Sequence, residues 1–164
     1  MDLGLRGLRA IVTGGTKGIG LGIGQAFGRH GAHVYLTHKW GSADEEAIRR
    51  RFAAIGAPEP VIVDADVSVD EHTQALLERV KRDHDRVEVF VSNVCVVEVA
   101  KGVESYARRS LLRSLEYSSW PLVAYTLAMK QRLGHYPRYV LGISSDGPDH
   151  YFTGYEYVAL SKAV

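Results

Sequence analysis

Short β-branched runs alternate along this chain with longer stretches whose apolar residues recur every three or four positions. Ala10-Ile11-Val12, Val34-Tyr35-Leu36, Val61-Ile62-Val63, residues 87–91 (apolar apart from Glu88) and residues 139–143 predict five strands. Between the first two, Ile19, Ile23, Ala26 and Phe27 fall at helical spacing, and Gly31 closes that segment. Residues 44–55 predict a second helix with Ile48, Phe52 and Ile55 on one face, stopped by Gly56 and Pro58. Ser68 followed by Glu71 reads as a capping box that opens a third helix burying Leu76, Leu77 and Val80. Residues 94–110 follow no single period. Pro121 falls inside a helix ending near Leu133, which requires either a kink or a fresh helix with Pro in its first turn. Strands separated by helical crossovers pair in parallel, so the expected fold class is α/β, a doubly wound parallel sheet. No repeat or linker divides residues 1–164, which read as one domain.

Composition narrows the function. The chain has 164 residues, 46% hydrophobic and 24% charged, with a net charge of +1. That balance argues against a dedicated nucleic-acid binder, which gathers basic residues on one face. The basic triplet Arg49-Arg50-Arg51 lies in the second predicted helix and reads as a solvated face. A single cysteine, Cys95, excludes an internal disulfide and makes a cytoplasmic home the default. No apolar run reaches membrane-spanning length, the start does not read as a signal peptide, and the seven His residues show no ligand spacing, so neither a membrane nor a metal is expected.

Chemistry enters directly after the first strand, with Thr13-Gly14-Gly15-Thr16-Lys17-Gly18-Ile19-Gly20. A Gly-rich turn between a strand and a helix points backbone N–H groups and the helix N-terminus at a pyrophosphate. In this form, Thr-Gly-x-x-x-Gly-x-Gly, the motif resembles that of the short-chain dehydrogenase/reductase family. The resemblance extends over essentially the whole chain and implies a Rossmann-type domain binding a nicotinamide dinucleotide. On that basis Gly14, Thr16, Lys17, Gly18, Ile19 and Gly20 hold the phosphates. Asp66 and Val67 match the family's contact to the adenine side, and Asn93 survives from the usual Asn-Asn-Ala-Gly segment, which reads Ser92-Asn93-Val94-Cys95 here. The lost glycine puts Cys95 near the cofactor, although a small buried hydrophobe is the expected state of that thiol. The second strand ends in His38-Lys39 with no acid before Asp44, and Lys17 adds a second cation; both favour NADPH over NADH.

The far end carries Ser144-Ser145, Tyr155 and Lys162. Tyr-x-x-x-Lys, common in the family, would need a tyrosine at Val158. Tyr155 lies seven positions before Lys162, and at ~100° per residue the two return to within roughly 20° of one helical face. Tyr157 lies well round the helix, and Tyr151 precedes it in a loop. Tyr-(x6)-Lys resembles the enoyl-acyl-carrier-protein reductases of the family. That likeness implies fatty-acid or polyketide chemistry, a small-molecule or carrier-bound acyl substrate, and a homodimer or homotetramer. Tyr155 would stabilise an enolate oxygen, Lys162 would bind the nicotinamide ribose and lower the tyrosine pKa, and Ser145 would orient the carbonyl.

Two departures keep other readings open. The family's helical Asn, near Ser114-Leu115-Glu116, is missing, and the chain stops two residues after Lys162. It therefore reads as the N-terminal part of a longer chain, lacking the C-terminal elements of the fold. The alternatives are a ketoreductase on the same scaffold and a non-catalytic NADP-binding regulatory protein.

Overall fold

The computed structural model describes residues 3–39 and 43–164. Strands β1 (Arg9–Val12), β2 (His33–His38), β3 (Val61–Asp64), β4 (Val89–Ser92) and β5 (Tyr139–Gly142) form one parallel sheet in the order β3-β2-β1-β4-β5. The inner strands are apolar on both faces because each face is covered. Ala10, Val12, Val34 and Leu36 point into one core, and Ile11, Tyr35 and Phe90 into the other. Helices α1 (Gly18–Arg29) and α2 (Glu45–Ala54) pack on the first face through Leu21, Ile48 and Phe52. Helices α3 (Asp70–Asp83) and α5 (Trp120–Leu133) cover the second through Leu76, Leu77, Val80, Tyr125 and Met129. Each such side chain taken fully from water contributes about 2 kcal/mol. The expected doubly wound fold is the one observed.

Helix α1 meets the sheet through glycine. Gly20, Gly24 and Gly28 are buried, whereas Ile19, expected on the apolar face, is 68% exposed. A Cβ on Gly24 would lie 2.7 Å from Leu36 Cδ2, and one on Gly28 would lie 2.8 Å from Phe52 Cε1. The helix therefore sits closer to its neighbours than an apolar side chain would allow. Ile23 and Phe27 pack at the flanks of the contact.

Other expectations are refined or corrected. Asp44 caps α2, accepting a bond from Ala47 N at 2.9 Å. The capping box of Ser68 and Glu71 does not form: Val69 is the N-cap of α3, and Ser68 Oγ donates instead to Asp66 Oδ1 at 2.9 Å. Glu88 precedes β4, and its carboxylate takes Arg9 N and Arg9 Nη2, each at 2.8 Å. Residues 94–110 hold a short 3-10 turn, Val103–Ser105, before α4 (Arg108–Ser118) begins. Pro121 marks a fresh helix rather than a kink: α4 ends, Ser119 intervenes, and α5 carries Pro in its first turn. Strand β5 pairs only with β4 among the described residues, and Tyr139, Val140 and Leu141 stay 47%, 42% and 44% exposed. Helix α6 (Glu156–Lys162) closes the chain and packs on α4.

Candidate functional site

Strand order reverses between β1 and β4, and connections leaving those strands depart in opposite directions, opening a crevice at their C-terminal ends. A cleft of about 540 Å³ lies there. Every residue expected to hold a cofactor lines it: the turn residues before and at the start of α1, His38 and Lys39 from β2, Asp66 and Val67 after β3, and Asn93 after β4.

The turn is held open by backbone bonds to both neighbouring strands. Thr13 N donates to Val91 O at 3.0 Å, and Gly15 N donates to Thr37 O at 2.9 Å. Asn93 Nδ2 then bonds Thr13 O at 2.9 Å and Gly14 O at 3.2 Å, while its own N–H donates to Thr13 Oγ1 at 3.0 Å. Asn93 is thus a clamp on the loop as well as a wall of the cleft. Gly14 and Gly18 sit at φ of 61° and 53°, in the left-handed region open to glycine. A Cβ on Gly20 would lie 2.3 Å from Gly14 O, so the turn and the helix meet backbone to backbone. Lys17 is the N-cap of α1 and offers no side-chain cap. The first N–H groups of the helix have no intrahelical acceptor by geometry, and they open towards the cleft with positive dipole.

At the β2 end the cleft is polar. Lys39 forms an ion pair with Asp66 Oδ2 and donates to Tyr117 Oη at 2.6 Å, with its ammonium 4.7 Å from the Tyr117 ring centre. Tyr117 Oη in turn donates to Asp66 Oδ2 at 3.3 Å. Burial pushes the Asp66 carboxyl up, but bonds from Lys39 and Ser68 outweigh it and hold it below the ordinary carboxylate value. Burial likewise pulls the Lys39 ammonium down, and its bonds to Asp66 and Tyr117 outweigh that and raise it. His38 is only 9% exposed, and its Nδ1 has no hydrogen-bond partner among the described residues. Helix N–H groups without a side-chain cap, beside a turn with no room for a Cβ at Gly20, fit the phosphates of an anionic nucleotide.

Sequence reasoning missed Tyr117, because α4 begins inside the stretch without a period. It also misplaced Cys95, which is exposed and lines the cleft rather than lying buried. The loop after β4 turns outward there, and Ser118 Oγ donates to Cys95 Sγ at 3.6 Å.

The residues at the far end do not line this cleft. Tyr155 is the N-cap of α6 at φ −101° and ψ 4°, not a residue within the helix, so the shared helical face does not apply to it. Its ring packs edge-on to Phe152, at 6.1 Å between ring centres. Lys162 Nζ donates to Ile143 O at 2.6 Å, at the end of β5. Ser145 Oγ accepts from Gly147 N at 3.2 Å. Tyr157 is buried, its Oη accepting from Ala107 N at 2.6 Å, which makes it a tie between α6 and the start of α4. Val158, at the family's usual tyrosine position, is 1% exposed. Ser114, near the family's Asn, is buried with its Oγ unpartnered among the described residues. Among the described residues no His, Cys, Asp and Glu group is placed to hold a metal, and no helix is long and apolar enough to cross a membrane.

Comparison with known proteins agrees with this geometry. An uncharacterized oxidoreductase of Methylorubrum extorquens is 30% identical over 130 residues, covering 79% of this chain and 52% of that protein. The 3-oxoacyl-[acyl-carrier-protein] reductase FabG of Chlamydia pneumoniae is 29% identical over 128 residues, covering 77% of this chain and 46% of its own. The solved structure of a short chain dehydrogenase from Burkholderia cenocepacia in complex with NADP superposes with a TM-score of 0.82 at 23% identity, over 97% of this chain and 64% of that one. The chain thus spans about half the length of these curated relatives. A family model described as Enoyl-(Acyl carrier protein) reductase matches residues 14–164. With that match over most of its length, the chain belongs to the short-chain dehydrogenase/reductase family.

Proposed function

We propose that the cleft binds NADPH and that the whole protein is a reductase of an acyl-thioester or polyketide-like substrate, acting at an enoyl double bond. The observation that carries the nucleotide reading is the uncapped N-terminus of α1 opening on a cleft whose turn has no room for a side chain at Gly20 and a left-handed backbone at Gly14. The phosphates would rest on the N–H groups of residues 16–20, with the adenosine towards His38, Lys39, Asp66 and Val67. When bound, the nicotinamide supplies the reducing electron pair. The choice of NADPH rests on the cations Lys17 and Lys39 and on the lack of an acid at the end of β2.

The enoyl reading rests on Tyr155. It lies three residues earlier in the chain than the tyrosine of a Tyr-x-x-x-Lys motif would, about one helical turn further from Lys162. Charge develops on the oxygen of an enoyl thioester, three bonds beyond the carbon that takes hydride, and a phenol donating there stabilises it. Lys162, held at Ile143 O, is the cation for the ribose hydroxyls, and Ser145 orients the thioester carbonyl. A ketoreductase is the second reading, favoured by the likeness to the FabG protein. A homodimer or homotetramer is part of the proposal, supported by the exposed stripe Trp120, Val123 and Leu127 on α5.

The test is oxidation of NADPH by the full-length product with crotonyl and acetoacetyl thioesters side by side. Turnover of the enoyl substrate alone supports the first reading. Turnover of the keto substrate alone replaces it with the second, and tight NADPH binding without turnover of either points to a regulatory binding protein.

A further inference from the structure

Three elements meet at the β2 end of the cleft: Lys39 after β2, Asp66 after β3 and Tyr117 from α4. Their polar atoms form a closed triangle of ammonium, carboxylate and phenol. The carboxylate is the fixed corner. Asp66 Oδ1 takes Ser68 N at 3.0 Å and Ser68 Oγ at 2.9 Å, and Asp66 N donates to His72 Nδ1 at 3.0 Å. Lys39 is the corner able to swing, a compact charge on a four-carbon stem. Its side chain is 26% exposed against 10% for Asp66, and both residues line the cleft. Tyr117 Oη helps keep it turned inward, accepting a hydrogen bond from the ammonium while donating one to the same carboxylate.

In a dinucleotide site of this topology the end of β2 faces the 2′ position of the adenosine ribose. A 2′-phosphate brings close to two negative charges to that point, and a 2′-hydroxyl brings none. The cation placed to meet that phosphate is already neutralised by Asp66. A 2′-phosphate must therefore compete with the carboxylate for Lys39, whereas a 2′-hydroxyl leaves the triangle intact.

Building on the nucleotide reading of the cleft, we propose that Tyr117 is a specificity-determining residue: by latching Lys39 onto Asp66 it sets how strongly the protein discriminates nucleotides with a 2′-phosphate from those without. Tyr117 lies on α4, far in sequence from the Gly-rich turn and from the end of β2. It adjusts the choice between cofactors without adding or removing a charge.

The test is calorimetric titration of the full chain with ADP-ribose and with 2′-phospho-ADP-ribose, which differ only in that phosphate. Tyr117→Phe keeps the ring and removes the hydroxyl. The expected result is a shift of the affinity ratio by about tenfold towards the phosphorylated ligand, the size of one hydrogen bond to a charged group. Asp66→Asn shifts the ratio the same way. In a Lys39→Gln background, where nothing is latched, Tyr117→Phe leaves the ratio unchanged. Thermal denaturation of each variant confirms folding, and Tyr117→Leu, which also lacks the hydroxyl, carries the test should Tyr117→Phe not fold. A ratio that stays constant, or moves towards ADP-ribose, in the single variants overturns the latch while leaving the nucleotide reading in place. Failure of both ligands to bind the unmodified chain overturns the nucleotide reading and the latch with it.

Discussion

The two ends of the sheet are built by different means. At the C-terminal tips of β1, β2 and β4, the turn after β1 is fixed by main-chain bonds to Val91 and Thr37 and by the Asn93 amide, and all the expected cofactor contacts converge. Beyond β5, Ser145, Tyr155 and Lys162 are held singly, by a loop N–H, a neighbouring ring and a strand carbonyl. The first region is a site made of backbone, enforced by strand pairing on both sides. The second is made of side chains from the loop after an exposed strand, from a helix cap and from the last residue of a seven-residue helix. A backbone site comes with the sheet; a side-chain site needs its packing to be in place as well.

The comparison breaks most sharply at the tyrosines. Tyr155→Phe is expected to lower turnover of the full-length protein by about 10³-fold while NADPH affinity and stability hold. Tyr157→Phe is expected to cost about 1 kcal/mol of stability through lost bonds to Ala107 with turnover nearly intact, and the reverse pattern would transfer the role to Tyr157. At the backbone site, Gly20→Ala forces a Cβ against Gly14 O and should cost about 3 kcal/mol in denaturant unfolding, with nucleotide affinity lost in parallel. Asn93→Ala removes two bonds to loop carbonyls and should cost about 2 kcal/mol, weakening ADP-ribose binding without touching Lys162. Tyr35 gives an effect confined to alkaline pH. Burial and the nearby Asp83 push its phenol up to about 12, so the fold favours the neutral form. Its contribution to stability is complete below pH 10 and is lost as pH rises through 12; phenolate absorbance during alkaline titration should show this tyrosine ionising late.

What could be read from the chain follows the same division. The strands and the Gly-rich turn were legible because alternation, glycine and the strand–turn–helix order are local signals. Ile19 was misread as core because helical spacing does not say which face is buried, and here the close approach chose the glycine face. The Ser68–Glu71 box failed because Asp66 offered the Ser68 hydroxyl a nearer, charged acceptor. Tyr117 had no signal at all: its value comes from two residues more than fifty positions upstream that only the fold brings to it. The Tyr155 projection assumed helix where the chain is still turning in from a loop.

The glycines of α1 have a consequence for the order of assembly. Gly18, Gly20, Gly22, Gly24 and Gly28 fall within its twelve residues, each costing about 1 kcal/mol of helix propensity relative to alanine. Such a segment does not nucleate alone; it becomes helical only once Leu36 and Phe52 offer it a surface. In kinetic terms α1 is expected to join after the transition state, so substitutions along it should speed unfolding more than they slow folding. The Gly-rich turn at the mouth of the cleft would then be among the last parts of the sheet's neighbourhood to form and the first to open.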